Sequence, residues 1–172
     1  MKNKIVAIVQ ARVTSVRFPY KVLKKIKKFT IIELLLNRLK KSKKINKIVV
    51  AVPKGEKNEK LSNYLISLGH TIFKGSEKNV LDRYYGAAKK HDAKIVVRIT
   101  GDCPLVDPSL VDELVLRFLK NNFDYMSNNK PATLPDGLDI EVFSFKALEK
   151  AWKHATTNFD REHVTPFITR NS

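Results

Sequence analysis

The sequence predicts a three-layer α/β/α fold built on a mostly parallel, Rossmann-like sheet. Three observations carry this expectation. Short β-branched runs alternate with helical patterns from residue 4 onward. The main strand-like runs are almost continuously apolar, as strands covered on both faces must be. The segments between them are long enough for helical crossovers, which join parallel strands with a right-handed sense. A chain of 172 residues with 43% hydrophobic content can bury one such core without covalent staples. Residues 1–172 therefore read as a single domain, with no internal repeat, low-complexity tract or linker.

Residues 4–10 (KIVAIVQ) form the first expected strand and residues 47–52 (KIVVAV) the second. Between them Ile31, Ile32, Leu34, Leu35, Leu36 and Leu39 recur at helical spacing, with Thr30 as N-cap and Glu33 at the capping-box distance. Residues 58–68 make a second helix stopped by Gly69, residues 70–73 a short strand and residues 80–90 a third helix. Residues 94–100 (KIVVRIT) form the fourth strand, and a helix opens at Pro108, which suits a first-turn position, and ends near Asn121 and Asn122. After Asp124 the pattern loosens. DYMSN and DIEVFS are short strands expected to be antiparallel or peripheral, residues 144–155 are helical, and residues 160–166 (DREHVTP) start a further helix.

Composition narrows the function classes. No apolar run approaches the roughly 18 residues of a membrane span, and no small-residue cleavage site follows the N-terminus, so the expectation is a cytoplasmic protein without a membrane partner. The lone Cys103 supplies neither an internal disulfide nor a zinc cluster. The net charge of +16 is compatible with nucleic acid, an anionic surface or a phosphorylated ligand. Twenty-five of the 33 basic residues are lysines, many in runs such as KKIKK, which reads as solvated faces with non-specific polyanion attraction as a side effect. Charge alone names no specific nucleic-acid partner.

The first three strands are expected to extend to one side of the sheet and the fourth to join the other side of the first. The ligand crevice then opens beyond the carboxyl ends of strands one and four. Arg12, Arg17 and Lys21 follow strand one, around Thr14 and Ser15, while Gly101, Asp102, Cys103 and Pro104 follow strand four. Three cations suit a triphosphate, since charge-assisted hydrogen bonds contribute about 1.5–3 kcal/mol each. Asp102 suits a magnesium ion, a hard cation that takes carboxylate and phosphate oxygens. Gly101 allows close backbone approach and Pro104 stiffens the exit. Neither the Walker loop nor the Rossmann glycine fingerprint is present.

Plainer readings stand beside these. Arg12 and Lys21 could be solvated cations, Asp102 a turn residue, Ser15 a turn cap, and Asp82 with Arg83 a surface pair, since neighbours on a helix do not face each other. Cys103 reads as a small packed residue rather than a nucleophile, and Tyr84, Tyr85 and Trp152 as core or interface. His163 beside Glu162 lacks zinc-ligand spacing.

At these residues the chain resembles the cytidylyltransferases among the nucleoside-triphosphate sugar transferases. The likeness is to the spore-coat-polysaccharide type, related to enzymes that make CMP-Kdo and CMP-sialic acids. It rests on QARVTSVRFPYKVL, VLDRYYGAA, RITGDCPLVDP, PDGLDIEVFS and DREHVTPFI, in that order along essentially the whole chain. The resemblance implies the nucleotide-diphospho-sugar transferase fold and transfer of CMP from CTP to an acidic sugar for surface polysaccharide, with magnesium as cofactor. It implies that Arg12, Ser15 and Lys21 hold the triphosphate, beside Arg17 of the same cationic loop, that Arg12, Lys21 and Asp102 act in catalysis, and that Asp102 binds the metal. Ala11, Ala51, Asp82 and Arg83 would shape the cytosine and ribose pocket. Asp136, Asp139, Glu141, Arg161, Glu162 and His163 would face the acceptor, and a homodimer is the implied assembly.

Two departures from the family pattern bear on this. Tyr20 stands where the family carries glycine, placing a bulky side chain at a position suited to positive φ. The sequence also stops before the family's final strand and helix, which carry a second acidic metal ligand, so truncation is expected, leaving either an incomplete metal site or Asp139 or Glu141 to substitute. Three rivals remain: a nucleotidyltransferase using another triphosphate, a glycosyltransferase, and a nucleotide-binding but inactive truncated homologue. The glycosyltransferase is disfavoured because no D-x-D motif follows a strand.

Overall fold

The computed structural model describes residues 4–129, 131–132 and 134–171. Its centre is a six-stranded sheet in the order β5-β4-β1-β6-β8-β7, formed by β1 (Ile5–Gln10), β4 (Lys47–Pro53), β5 (Ile72–Gly75), β6 (Ile95–Thr100), β7 (Tyr125–Ser127) and β8 (Glu141–Ser144). The first four of these pair in parallel, with Gln10 opposite both Ala51 and Thr100, while β8 runs antiparallel to β6 and β7 antiparallel to β8. The mostly parallel α/β architecture, the outward growth from β1 and the antiparallel far edge all match the sequence expectation. A small hairpin, β2 (Lys25–Ile26) with β3 (Phe29–Thr30), was not legible, because its turn holds Lys27 and Lys28 inside a lysine run, with Lys27 at φ 54°.

The central strands bury both faces. Ala7 and Val9 join a core with α1 (Ile31–Leu39), α2 (Glu59–Ser67) and α4 (Pro108–Asn121). Val6 and Ile8 join a second core with α3 (Val80–Lys90), α5 (Phe145–His154), and residues near the short α6 (Asn158–His163) and α7 (Pro166–Arg170). Ile32, Leu35, Leu36 and Leu39 of α1 are fully buried, and each such side chain contributes about 1.5–3 kcal/mol relative to exposure. The predicted capping box is present, with the Glu33 N–H donating to Thr30 Oγ1 and the Thr30 N–H donating to Glu33.

Boundaries moved where local geometry intervened. The second helix begins as a 3-10 turn at Glu56–Asn58, because Gly55 at φ 116° starts the turn before the apolar periodicity does. The third strand runs Ile72–Gly75 rather than 70–73, since the His70 N–H is still tied to the Leu65 carbonyl at 3.0 Å. Thr157 caps α6 by accepting from the Asp160 N–H, three residues before the expected start. No helix among the described residues is long and apolar enough to cross a membrane.

Candidate active site

The parallel register decides where the loops emerge. The Ala11 N–H donates to the Ala51 carbonyl at 3.2 Å and the Gly101 N–H to the Gln10 carbonyl at 2.8 Å, so the exits of β1 and β6 are bonded together. A Cβ on Gly101 would lie 2.7 Å from the Gln10 carbonyl oxygen and 3.1 Å from Ala11 Cβ. This glycine is required by space.

Beyond this junction the first loop turns back on itself. The Tyr20 N–H donates to the Val13 carbonyl at 3.0 Å, and the Val13 N–H to buried Asn58 Oδ1 at 3.1 Å. Tyr20, 46% exposed, adopts φ 58° and ψ 17°, the left-handed conformation that the glycine of the family pattern favours. That bend starts the 3-10 turn Lys21–Leu23, which directs Lys21 at Asp102, and the two side chains form an ion pair across the cleft. Burial pulls the Asp102 carboxyl upward, but hydrogen bonds from Lys21 and Thr100 outweigh it and hold the group below its ordinary value.

The resulting cleft encloses about 350 Å³ and is lined by Arg12, Ser15, Arg17, Lys21, Gly101 and Asp102, together with Gln10 and Thr100, which the sequence reading did not single out. Those two end their strands in paired register, so strand ends were the signal that could have found them. Cys103 is buried as expected, its sulfur 3.1 Å from Thr100 Oγ1, and burial pushes its thiol up.

Arg12 also borders two neighbouring cavities. One of about 180 Å³ is lined by Gln10, Ala11, Arg12, Val80, Arg83, Arg98, Glu162 and His163, and one of about 500 Å³ includes Arg161 and Glu162. Arg83 is 2% exposed, lies against Gly75, donates to the Ser76 carbonyl and has no Nε partner among the described residues. Burial holds its guanidinium below the ordinary value, and the Arg12 charge adds to this.

The remaining expected residues separate. Asp82 turns away from the cleft and accepts from Trp152 Nε1 at 2.9 Å, on the side where Tyr85 and Trp152 stack at 4.2 Å. Helical geometry sends it and Arg83 in different directions. Ala51 is fully buried and lines none of these cavities, so it does not shape the pocket directly; its carbonyl fixes Ala11.

The six residues expected around the acceptor fall into two groups. Arg161, Glu162 and His163 gather with Arg12, while Asp136 and Asp139 lie on the loop before β8 and line none of these three cavities. Glu141 is 4% exposed and engaged internally with Arg98, Tyr125 and Thr165. It is therefore neither an open sugar contact nor a substitute metal ligand, because its oxygens are already taken. Burial first, then the charges of Asp136 and Glu141, push the Asp139 carboxyl up, and Asp102 adds to that repulsion.

This donor set fits a magnesium ion in one form. Among the described residues no group of three or more His, Cys, Asp or Glu side chains could hold a metal unaided. Magnesium commonly uses one or two carboxylates plus substrate phosphates, and Asp102 meets that need beside a cationic cleft.

A Rossmann-like sheet whose first loop sets cations against an ionised carboxylate defines the class, a nucleotidyltransferase of α/β fold. The cytidylyltransferase family model matches residues 6–172. The chain belongs to the cytidylyltransferase family. It is 49% identical over 168 residues to an uncharacterised protein of Methanocaldococcus jannaschii, covering 98% of this chain and 68% of that one. It is 30% identical over 171 residues to the spore coat polysaccharide biosynthesis protein SpsF of Bacillus subtilis, covering 94% and 71%. A 3-deoxy-manno-octulosonate cytidylyltransferase of Solibacter usitatus is 30% identical over 118 residues, covering 67% of this chain and 45% of that protein. Among solved structures, a cytidylyltransferase from Leptospira borgpetersenii superposes with a TM-score of 0.93 at 34% identity, covering 98% of this chain and 71% of that one.

Proposed function

We propose that this protein transfers CMP from CTP to an acidic sugar, releasing pyrophosphate, as a step in surface polysaccharide synthesis. The observation that carries this reading is the ion pair of Lys21 with Asp102 across a cleft that Arg12, Ser15 and Arg17 also line. The relatives named for spore coat polysaccharide and for 3-deoxy-manno-octulosonate support the choice of acceptor.

In this reading the triphosphate lies in the cleft and displaces Lys21 from Asp102 onto phosphate oxygen. An acceptor hydroxyl attacks the α-phosphorus, and the bond to pyrophosphate breaks as the new P–O bond forms, with the hydroxyl proton leaving to solvent. Such transfer depends on positioning and charge neutralisation more than on covalent chemistry. Lys21 and Arg12 offset the charge gathering on the departing pyrophosphate, and Ser15 adds a neutral donor. Asp102 would hold the magnesium ion, whose part when bound is to neutralise charge on the phosphates.

Pyrophosphate release from CTP, measured with a panel of 2-keto sugar acids, tests the reading. Lys21→Ala and Asp102→Ala are each expected to lose roughly ten- to hundredfold in rate, the equivalent of one charge-assisted hydrogen bond. A fully active Lys21→Ala protein refutes these roles. CTP should raise the melting temperature more than UTP or ATP.

A further inference from the structure

We infer that Glu141 is a positioning residue that holds both the floor and the roof of the cavity beneath α6, and that Thr165 is the link to the roof. The inference rests on the reading of this protein as a CTP-binding enzyme, because it assigns the cavity to the nucleoside end of that ligand.

Glu141 lies in β8, 4% exposed, and its carboxylate joins three separate elements. One oxygen pairs with Arg98 of β6. The other accepts from the Tyr125 hydroxyl of β7 and from the Thr165 hydroxyl, which follows α6, each at 2.7 Å. Arg98 supplies the floor: its side chain is 14% exposed, its guanidinium sits 5.9 Å from the centre of the Tyr84 ring, and its Nε has no partner among the described residues. Burial pushes the Tyr84 hydroxyl up to about 12, so it stays a neutral donor to the Ile8 carbonyl at 3.2 Å.

The roof is held in an unusual conformation. Val164, fully buried, has φ 72° and ψ −57°, and the Thr165 N–H donates to the His163 carbonyl at 2.9 Å. These angles and this bond make a γ-turn of the rare, strained kind, here centred on a β-branched residue. Such strain persists only where the surroundings over-determine it, and it clusters at ligand clamps. Here two contacts do so: the Val164 side chain is packed in the second core, and the Thr165 hydroxyl is bonded to Glu141. Thr165 does not use that hydroxyl to cap α7, and among the described residues its partner is Glu141 alone. Glu162 and His163, where the turn begins, line the same cavity as Arg98.

The cavity shares Gln10, Ala11 and Arg12 with the phosphate cleft. A nucleotide whose phosphates occupy the cleft extends its nucleoside over this floor. Glu141 therefore acts on CTP through Arg98 below and the Val164 turn above, without touching it.

Thr165→Val removes the link isosterically and Thr165→Ser restores it, while Glu141→Gln tests the hub at greater risk to folding. Calorimetric titration with CTP should show binding weakened at least tenfold in Thr165→Val and returned to within about threefold of the native protein in Thr165→Ser. A purely structural hydroxyl would lower the melting temperature and leave the affinity of the folded protein unchanged, and that result overturns the inference. If the native protein itself fails to bind CTP, the functional reading falls, and amide exchange decides the positioning role separately. Exchange at residues 158–165 should quicken at least tenfold in Thr165→Val but not in Thr165→Ser, and equal exchange in both overturns it.

Discussion

Replacing Gly101 with alanine tests the junction on which the cleft depends. Its φ is not among the positive values, so the constraint is space alone. The new Cβ would sit 2.7 Å from the Gln10 carbonyl oxygen, about 0.7 Å inside ordinary contact, and 3.1 Å from Ala11 Cβ. Neither neighbour is the end of a flexible side chain, so the exits of β1 and β6 must part by several tenths of an ångström. Overpacking of this kind costs about 1–3 kcal/mol. For a chain of this size that corresponds to a fall in Tm of roughly 2–12 °C. The functional effect should be larger than the stability effect suggests, because the strain falls between Arg12 and Asp102. A misplacement near 1 Å can cost roughly a hundredfold in rate, so about tenfold or more is expected for pyrophosphate release. Differential scanning calorimetry with the CTP-dependent assay measures both quantities. An alanine variant with Tm within about 1 °C of the native protein and unchanged turnover would refute the close-approach argument.

Tyr20→Gly should stabilise the protein. The left-handed conformation costs a residue with a Cβ roughly 1–2 kcal/mol, and the greater unfolded-state freedom of glycine offsets about 0.5–1 kcal/mol of that, leaving a Tm gain of up to about 6 °C. A lower Tm would mean that packing of the Tyr20 ring outweighs the backbone strain. The Asp102 carboxyl, held below its ordinary value by Lys21 and Thr100 against the opposing effect of burial, gives a signed pH dependence. A depressed carboxyl adds stability above the unfolded value, about 3.9, and loses it as pH falls through the folded value. Asp102→Asn should therefore flatten the native protein's loss of stability below about pH 4 and leave the slope between pH 6 and 8 unchanged. Urea titrations across pH 2–8 measure this, and parallel native and variant curves in acid would contradict it.

The sheet was legible because its strands are nearly continuous apolar runs. KIVAIVQ, KIVVAV and KIVVRIT have no other stable place than between two helical layers. The Lys21–Asp102 meeting was legible for a related reason, since strand order alone brings the loop after the first strand beside the loop after the fourth. Side-chain direction was less accessible. Asp82 and Arg83 are adjacent in sequence, yet one serves Trp152 and the other the cavity. Glu141 occupies a family signature, yet its carboxylate is spent on buried partners from β6, β7 and the segment after α6.

The sequence by itself determined the layered fold, the cationic loop and the opposing aspartate, since each follows from local pattern or from the order of strands, whereas the position of Tyr20 stood out only against the glycine of the family pattern. Only the tertiary structure decided that Gly101 is a spatial necessity, that Arg98 floors a cavity shared with Arg12, and that a strained turn at Val164 hangs from Glu141. Those facts depend on distances between residues 24 to 91 positions apart in the chain, such as Thr165 with Glu141 and Gly101 with Gln10, which packing sets and no local pattern encodes.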